Sequence, residues 1–536
     1  MRLVFSIMFF VFTVQIFACT NLLVTRGASK DGSAFLAYTN DAEYIYHLYT
    51  KPGTVNPDGN TLTLRSRDGV EGIIDQVPKT YSTLGFHMNE HQLMIGETTF
   101  TGRLDLWDHS SFLEYWQLMQ LALERAKTAR EAIEVITGLV EKYGYASEGE
   151  SFSIVDPEEA WILEMIGGGD GSGEVIWVAV KIPDGNISAH ANRARIGEFP
   201  LNDPENCLYS ENVIDFAIDK GYYNKKDGPF RFCDAYCPPE CGQIRYAETR
   251  VWSMFRRAAP SLNLSSDYHR CVEGSDPYPL YIKPDEKIGL QDVFNLIRDH
   301  YEGTEFDMTK GLQSGPFGNP NHWRPLEWEY EENTYGWERP VSTYNSAFTF
   351  VGQVRGHMPD SIGGVVWFGV DDSYFTCYVP LHNNITNVPN AFVIGDINEF
   401  SRKSAWWLFN LTSNYCNLRY DTMHKDMQAV QSRLEEYFIQ QNDSLENSLL
   451  TNPDFPAAEY FTVFARDMTE MMMIEWENLF LSLVVKYNDG YIKNEEGRPE
   501  AVPYPNNWYE RVVEEDSSKY RIPVYRKPED ENNRSY

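Results

Sequence analysis

A cysteine directly follows an apolar leader in this sequence, at the junction Phe17-Ala18-Cys19. Residues 3–14 are almost all apolar, and they follow a single basic residue, Arg2. A basic start, an apolar run and a small residue before the junction are typical of a secretory signal peptide. The sequence therefore predicts a signal peptide over residues 1–18, and a mature chain that begins at Cys19 in a secreted or periplasmic location.

An N-terminal cysteine carries a thiol and a free α-amine on one residue. Their reference pKa values are about 8.5 and about 7.7 to 8.0, so the amine can act as the base for its own nucleophile. Two other interpretations stay open. Cys19 is an ordinary half-cystine if cleavage falls elsewhere, or it is acylated as in a bacterial lipoprotein, which would block the amine. Phe17 stands where lipoprotein signals prefer a small residue.

The charge of the chain excludes several classes of partner. Its 536 residues contain 46 Lys and Arg against 78 Asp and Glu, a formal net charge of −32. Such a charge argues against nucleic acid and against an anionic membrane surface. After the leader, no run approaches the 18 or so apolar residues that a membrane span needs. We expect a soluble exported protein with a sizeable core.

Five of the eight cysteines fall between positions 207 and 271. In an oxidising compartment this clustering favours a locally disulfide-linked loop. Cys233, Cys237 and Cys241 are spaced four apart, which leaves a metal site as the alternative, but the usual zinc pattern of two close pairs is missing. We expect neither a metal nor another cofactor.

Hydrophobic patterning predicts an α+β layered domain. Leu22–Val24 and Ala34–Ala37 read as a β-hairpin that begins at Cys19, and residues 111–143 read as two helical segments. Strands are predicted at 91–99, 151–155, 161–166, 175–182, 365–368 and 375–379. Strands, then a helix pair, then further strands favour this class.

The same pattern suggests how the chain is divided. We predict one domain over residues 19–400, with a Cys- and Pro-rich insertion at 198–285. A helical extension follows at 401–488, and an acidic tail at 489–536 is expected to be wrapped on the surface or partly disordered. The extension should pack on the domain, because long helices need their apolar stripe buried.

Several stretches resemble one known family. They include CTNLLVTRGASKDGSAFLAYTND, GFHMNEHQLMIGET, LIRDHYEGTEFDMTKG and QVRGHMPDSIGGVVWFG, together with AWILEMIGGG and HANRARI. In this order they are similar to the dipeptidase A family, the secernin-like cysteine dipeptidases of the N-terminal-nucleophile hydrolases. The resemblance runs from Cys19 to about Leu381. It implies a four-layer αββα sandwich and an enzyme that hydrolyses short peptides.

The resemblance also implies roles for single residues. Cys19 matches the nucleophile, Asp41 the carboxylate that orients its α-amine, and Asn192 the side chain that donates to the oxyanion. One position departs from the family, because Tyr38 stands where many relatives carry an arginine. This departure bears on thiol activation or on substrate preference.

Other charged residues are candidates for substrate binding. Glu90, Glu97 and Glu164 are candidates for a substrate ammonium, and Arg195 and Arg355 for a substrate carboxylate. Each of them also suits a structural ion pair.

Three rival functions remain open from the sequence. One is hydrolysis of non-peptide amides by the same chemistry. Another is a cysteine or serine paired with His87, His91, His190, His300 or His357, although no G-x-S-x-G or H-E-x-x-H motif supports it. The third is a non-enzymatic exported binding protein, lipid-anchored through Cys19 or holding it in a disulfide.

Overall fold

The computed structural model describes residues 18–323 and 326–523. The predicted leader up to Phe17 lies outside the described residues, as does the end of the acidic tail after residue 523. Among the described residues, no helix is both long enough and apolar enough to cross a membrane.

The chain folds into strands and helices in mixed order. The strands are β1 (Ala18–Val24), β2 (Ala34–Asp41), β3 (Thr50–Lys51), β4 (Thr61–Arg65), β5 (Glu71–Asp75), β6 (Thr83–Leu84), β7 (Met88–Asn89), β8 (Met94–Phe100), β9 (Gly149–Val155), β10 (Ala160–Gly167), β11 (Val175–Lys181), β12 (Ile187–His190), β13 (Cys207–Tyr209), β14 (Tyr281–Ile282), β15 (Glu327–Tyr330), β16 (Asn333–Gly336), β17 (Phe348–Val354), β18 (Val365–Val370), β19 (Val379–His382), β20 (Ile492–Lys493) and β21 (Pro499–Glu500). The helices are α1 (Tyr115–Arg125), α2 (Ala129–Tyr143), α3 (Asp215–Asp219), α4 (Phe232–Tyr236), α5 (Cys241–Ala258), α6 (Leu290–Ile297), α7 (Asp360–Gly363), α8 (Ala405–Cys416), α9 (Tyr420–Thr451), α10 (Ala457–Tyr487) and α11 (Asn506–Tyr520). The predicted α+β class is confirmed.

Two large antiparallel sheets form the centre of the described structure. One has seven strands in the order β14-β12-β1-β2-β17-β18-β19, and the other has eight in the order β13-β11-β10-β9-β8-β7-β6-β3. The predicted hairpin is β1 and β2, paired so that Cys19 lies opposite Asn40 and Val24 opposite Phe35. Because these strands are central and covered on both faces, their apolar runs are continuous rather than alternating.

The two sheets lie face to face, with β1 and β2 against β8 and β9. The approach is close at Gly96 of β8, where an added Cβ would lie 2.6 Å from Asn21 Oδ1. Asn21 Nδ2 then donates to the carbonyl oxygen of Glu97 at 2.7 Å. A side chain at position 96 would separate the two sheets at the point where β1, the strand of Cys19, packs against β8.

Helices pack on the outer side of each sheet. α1 and α2 contact β8, β9 and β11 of the eight-stranded sheet, and α5 and α6 contact β12, β2 and β17 of the seven-stranded sheet. The start of α2 follows its sequence signal, because Thr128 Oγ1 accepts from Glu131 N at 3.2 Å and Glu131 Oε2 accepts from Lys127 N at 2.7 Å. Gly144 ends α2 with a φ of 79°.

The predicted strand at 375–379 is wrong over most of its length. Residues 373–375 form a turn, in which Asp372 O accepts from Phe375 N and from Thr376 N. Thr376 Oγ1 also accepts from Val370 N at 2.8 Å, and strand β19 begins only at Val379. Side-chain and turn hydrogen bonds thus take up the backbone groups that a strand would have used.

The segment 198–285, predicted as an insertion, contains more regular structure than its sequence suggests. It supplies the edge strands β13 and β14 of the two sheets, and its main helix is α5. A disulfide joins Cys241, the first residue of α5, to Cys271. Cys207, Cys233 and Cys237 are buried free thiols. Hydrophobic patterning does not predict α5, because its buried residues include the charged Glu248 and Arg250 beside apolar ones.

The helical run predicted after residue 402 is present as α8, α9 and α10. α10 packs on β19, and α9 is tied to the rest of the fold by buried ion pairs. Arg298 Nη1 lies 3.0 Å from Glu435 Oε2, and Arg355 Nη1 lies 2.7 Å from Glu446 Oε2. The exposed helix α11 lies in the predicted tail. The domain boundaries themselves stay a prediction.

Candidate active site

Cys19 occupies the second position of β1, between β12 and β2. Its side chain is buried, with 1% of the residue exposed. Its nitrogen donates to Asn192 Oδ1 at 3.0 Å, and Sγ donates to Glu97 Oε1 at 3.4 Å. In this chain the nitrogen is still in a peptide bond with Ala18, so it stands for the α-amine of a chain that begins at Cys19. The thiol and this nitrogen thus have separate polar neighbours.

The environment of Cys19 keeps its thiol protonated. Burial raises the pKa of Cys19 well above its ordinary value, and the charges of Glu97 and Asp41 raise it further. The hydroxyl of Tyr38 lies 3.7 Å from Sγ, and it donates to Glu97 Oε1. Asn40 Nδ2 in turn donates to the Tyr38 oxygen at 2.9 Å. A thiol in this setting needs a proton acceptor before it can act as a nucleophile.

Asp41 lies beside the backbone that precedes Cys19. In the β1–β2 register it is opposite Ala18, and its side chain is buried. Oδ2 accepts from Arg339 Nη2 at 2.9 Å, and Oδ1 accepts from Ser346 Oγ at 3.1 Å. Burial raises the pKa of Asp41, while Arg339 opposes that rise. A carboxylate at this place can stabilise a positive charge that forms on the nitrogen of Cys19.

Asn192 follows β12 and reaches back to Cys19. Its backbone is left-handed, with a φ of 61°, which an asparagine tolerates better than most residues. Besides accepting from Cys19 N, its side chain donates from Nδ2 to Thr99 O at 2.8 Å. The amide therefore bridges the strand of the cysteine and strand β8 of the other sheet.

Arg250 of α5 is a residue of this site that the sequence analysis missed. Nη1 donates to Cys19 O at 2.8 Å and to Thr20 Oγ1 at 2.9 Å. Nη2 donates to Ala191 O at 3.0 Å and to Asn192 Oδ1 at 3.1 Å. Burial, together with the nearby charge of Arg339, lowers the pKa of Arg250 to about 9. One guanidinium thus fixes both the cysteine and the asparagine.

Two arginines from other parts of the chain lie near Cys19, although position 38 carries a tyrosine where many relatives are expected to have an arginine. Tyr38 cannot supply a positive charge, but Arg250 binds the backbone of Cys19 and Arg339 pairs with Asp41. The only sequence signal for Arg250 is its place on the buried face of α5, among Ala247, Val251 and Met254. An arginine on an apolar helix face needs buried acceptors, and here the acceptors lie far away in the chain.

Of the predicted substrate-binding residues, Tyr38 and Glu97 contact the thiol. The other four candidates, Glu164, Arg195, Arg355 and Glu90, make structural contacts instead. Glu164 accepts from the backbone nitrogens of Arg195 and Ile196 at 2.6 and 3.0 Å, and burial raises its pKa to about 7. The guanidinium of Arg195 pairs with Glu248 at 3.1 Å, and Arg355 pairs with Glu446 of α9. Glu90 accepts from Ser82 N at 3.2 Å.

Within the described residues, no hydrogen bond joins Cys19 to a histidine. His190 is buried, its two ring nitrogens lie 2.7 Å from Thr98 Oγ1 and from Ser153 Oγ, and burial lowers its pKa to about 3. Burial also lowers the pKa of His87 to about 3. The described residues contain no group of three or more His, Cys, Asp or Glu that could hold a metal ion.

Comparison with known proteins gives one family. The sequence profile of Peptidase family C69 matches residues 52–433. The chain is 23% identical to a protein of Latilactobacillus sakei named a probable dipeptidase, over 87% of this chain and 97% of that protein. It is 25% identical to a probable dipeptidase of Salmonella dublin, over 69% of this chain and 82% of that protein. It is also 25% identical to a probable dipeptidase A of Streptococcus pyogenes serotype M1, over 73% and 80%.

Proposed function

The chain belongs to peptidase family C69, and from this premise we propose that it is an exported cysteine dipeptidase. It hydrolyses short peptides through Cys19, which becomes the N-terminal residue when the leader is removed. The observation that carries the proposal is the surroundings of Cys19, whose nitrogen and thiol have separate polar partners in Asn192 and Glu97. The dipeptidase names of the relatives give the substrate class.

The first step is activation of the thiol. The α-amine of mature Cys19 takes the thiol proton, and Sγ attacks the carbonyl carbon of the peptide to form a tetrahedral oxyanion. Asp41 stabilises the ammonium that results, because its carboxylate lies opposite the residue removed from the nitrogen. Collapse of the intermediate expels the amine of the second residue, which takes the proton from the ammonium. Water then hydrolyses the thioester.

Asn192 is the proposed donor to the oxyanion. Its amide carries no charge and lies beside Cys19, whose nitrogen donates to Oδ1. The atom that would donate to the oxyanion is Nδ2, which also binds Thr99 O. Losing a donor of this kind costs roughly 3 to 4 kcal/mol of transition-state stabilisation. Arg250 acts as a positioning residue, since it binds both Cys19 O and Asn192 Oδ1.

The proposed fold is the four-layer αββα sandwich of N-terminal-nucleophile hydrolases. Two face-to-face sheets, with α1 and α2 outside one and α5 and α6 outside the other, support it. Export is supported by the disulfide between Cys241 and Cys271, since such bonds persist in oxidising compartments.

The N-terminal mass of the exported protein tests the proposal, together with two variants. We expect a chain that starts at Cys19 with a free α-amine. Cys19→Ala should abolish hydrolysis of a dipeptide panel and leave the fold intact, and Cys19→Ser should leave a slower enzyme, because a hydroxyl is a poorer nucleophile. A diacylglyceryl adduct on Cys19, or full activity of Cys19→Ala, would refute the mechanism. Cleavage of N-acyl amides with no cleavage of dipeptides would instead favour a non-peptide acylase.

A further inference from the structure

Two buried carboxyl groups lie directly behind the thiol of Cys19. Glu97 Oε1 accepts from Sγ at 3.4 Å and from the hydroxyl of Tyr38. Glu150 lies across the strand pair β8–β9, and its Oε2 accepts from Thr99 Oγ1 at 3.0 Å. Both glutamates are buried, with exposed fractions of 1% and 0%. The proposed mechanism uses neither of them.

The two carboxyls lie close enough to influence each other's ionisation. Burial raises the pKa of both, and the hydrogen bond between them raises the pKa of Glu150 further while it lowers that of Glu97. Two like charges in contact disfavour each other, and this contact makes Glu150 the carboxyl that holds its proton more tightly and Glu97 the one that ionises first.

The negative charge that Glu97 carries when it ionises has no cation beside it in the described structure. Neither carboxyl forms an ion pair with a Lys, Arg or His of residues 18–323 and 326–523. Glu97 Oε2 and Glu150 Oε1 are buried and, apart from the contact between the two carboxyls, meet no hydrogen-bond donor there. Buried charges in proteins are almost always paired, because an isolated one costs several kcal/mol. A charge of this kind next to a nucleophile is therefore suited to a cation that arrives with the substrate.

The α-ammonium of a peptide substrate can reach this charge. The nitrogen of an amino acid lies about 2.5 Å from its own carbonyl carbon. A nucleophile about to attack that carbon lies about 3 to 3.5 Å from it. A carboxylate oxygen 3.4 Å from Sγ can then contact the ammonium at a charge-assisted hydrogen-bond distance of about 2.8 Å. Loss of the thiol proton also frees one acceptor position on Glu97 Oε1.

We propose that Glu97, with Glu150 behind it, binds the free α-ammonium group of the residue whose carbonyl Cys19 attacks. The inference rests on the proposed function and narrows it to peptides with an unblocked N-terminus, cleaved after their first residue. Tyr38 fits this role. A tyrosine donates to Glu97 without neutralising it, whereas an arginine at this position would pair with the carboxylate and cancel its charge.

Two substrates that differ only in the ammonium test the proposal, namely alanyl-alanine and N-propionyl-alanine. Mature wild-type enzyme should cleave alanyl-alanine with a kcat/KM about 10- to 100-fold higher, the range expected for a buried hydrogen bond to a charged group. In Glu97→Gln this preference should fall below about threefold, mainly through loss of activity on alanyl-alanine. Glu446→Gln is the control, because it makes the same change at another buried carboxylate. Glu446 pairs with Arg355, which follows the end of β17 that lies away from Cys19. This variant should keep the wild-type preference.

The outcomes separate this inference from the proposed function. Equal loss on both substrates in Glu97→Gln would make Glu97 purely structural, and equal cleavage by wild-type enzyme would remove ammonium recognition while the hydrolase stands. Failure of wild-type enzyme on both would overturn both proposals. If Glu97→Gln does not fold, calorimetry on Cys19→Ala decides, since alanyl-alanine should bind it at least about tenfold more tightly than N-propionyl-alanine. Equal affinities would refute the inference.

Discussion

Arg250 donates a hydrogen bond to the carbonyl oxygen of Cys19 at 2.8 Å, across 231 positions of sequence. The same guanidinium binds Asn192 Oδ1, so one side chain of α5 holds Cys19, the proposed nucleophile, relative to Asn192, the proposed oxyanion donor. The site is thus built from both faces of the seven-stranded sheet. Strand β1 supplies the thiol of Cys19, and Arg250 of helix α5, on the outer side of the sheet, binds the backbone carbonyl of Cys19.

Arg250→Lys should lower kcat about 100-fold, the order of loss expected when a reacting group is misplaced by about 1 Å. It should also lower the free energy of unfolding by about 2 to 4 kcal/mol. Lysine keeps the charge but cannot reach four acceptors on two segments, and each buried acceptor left without a donor costs about 1 to 3 kcal/mol. Steady-state kinetics and urea unfolding measure the two effects. Arg245→Lys is the control. Arg245 is on the same helix but is half-exposed and pairs with Glu338, so its substitution should change kcat and the free energy of unfolding only slightly. Equal effects of the two substitutions would contradict the role given to Arg250.

Asn192→Ala should lower kcat more than it changes KM. The donor acts mainly on charge that develops in the transition state, so its loss leaves substrate binding nearly intact. We expect kcat to fall about 100- to 1000-fold. A rise in KM at unchanged kcat would show instead that the amide binds the substrate in its ground state.

Asp41→Asn should move the acidic limb of the kcat/KM profile to lower pH. In the proposed mechanism the carboxylate stabilises the ammonium form of the Cys19 amine, so its removal should lower the pKa of the amine. Arg339, left without its carboxylate, lowers that pKa further. The free amine that acts as base is then populated at lower pH. A pH profile from 4 to 9 measures the shift, and a limb that moves upward would exclude this role for Asp41.

Asp371→Asn should stabilise the protein increasingly from about pH 4 to about pH 8. Burial, with the neighbouring Asp372, raises the pKa of Asp371 to about 8. A carboxyl whose pKa is raised on folding is most favourable below its unfolded pKa, near 3.9, and that contribution is lost as pH rises through the folded value. An asparagine avoids this cost. It can also accept from Asn410 and donate to Ser413, which now bind the two carboxylate oxygens at 2.9 and 3.1 Å.

The difference in unfolding free energy between Asp371→Asn and wild-type protein measures this effect. It should be small at pH 4, reach a few kcal/mol at pH 8 and level off above that. A difference that stays constant with pH would mean that Asp371 titrates normally in the folded protein.

Local patterns were enough to predict the elements around Cys19. The hairpin of β1 and β2 follows from two apolar runs joined by a Gly and Asp turn, and α2 follows from the capping box at Thr128. Helix α5 was missed because its buried face carries Arg250 and Glu248, whose partners come from other parts of the chain.

The sequence did not predict which residues of the two sheets contact each other. Glu97 was one acidic candidate among several, and only the packing of β8 against β1 separates it from Glu164 and Glu90. Glu164 points to backbone nitrogens that follow β12, whereas Glu97 faces the sulfur. The alternation of a strand tells which residues share a face, but it does not tell which strand of a second sheet will cover them.

The position of Cys19 within β1 bears on whether the precursor is already folded before its leader is removed. Its backbone is held by pairing with β2 and by Arg250 while Ala18 is still attached. With Ala18 attached, Cys19, Asn192 and Asp41 therefore already occupy the positions that the proposed mechanism gives them, and that mechanism then requires only a free amine on Cys19. We expect the precursor to be an inactive protein that is already assembled. Scission of a single peptide bond would switch it on, with no refolding step between cleavage and turnover.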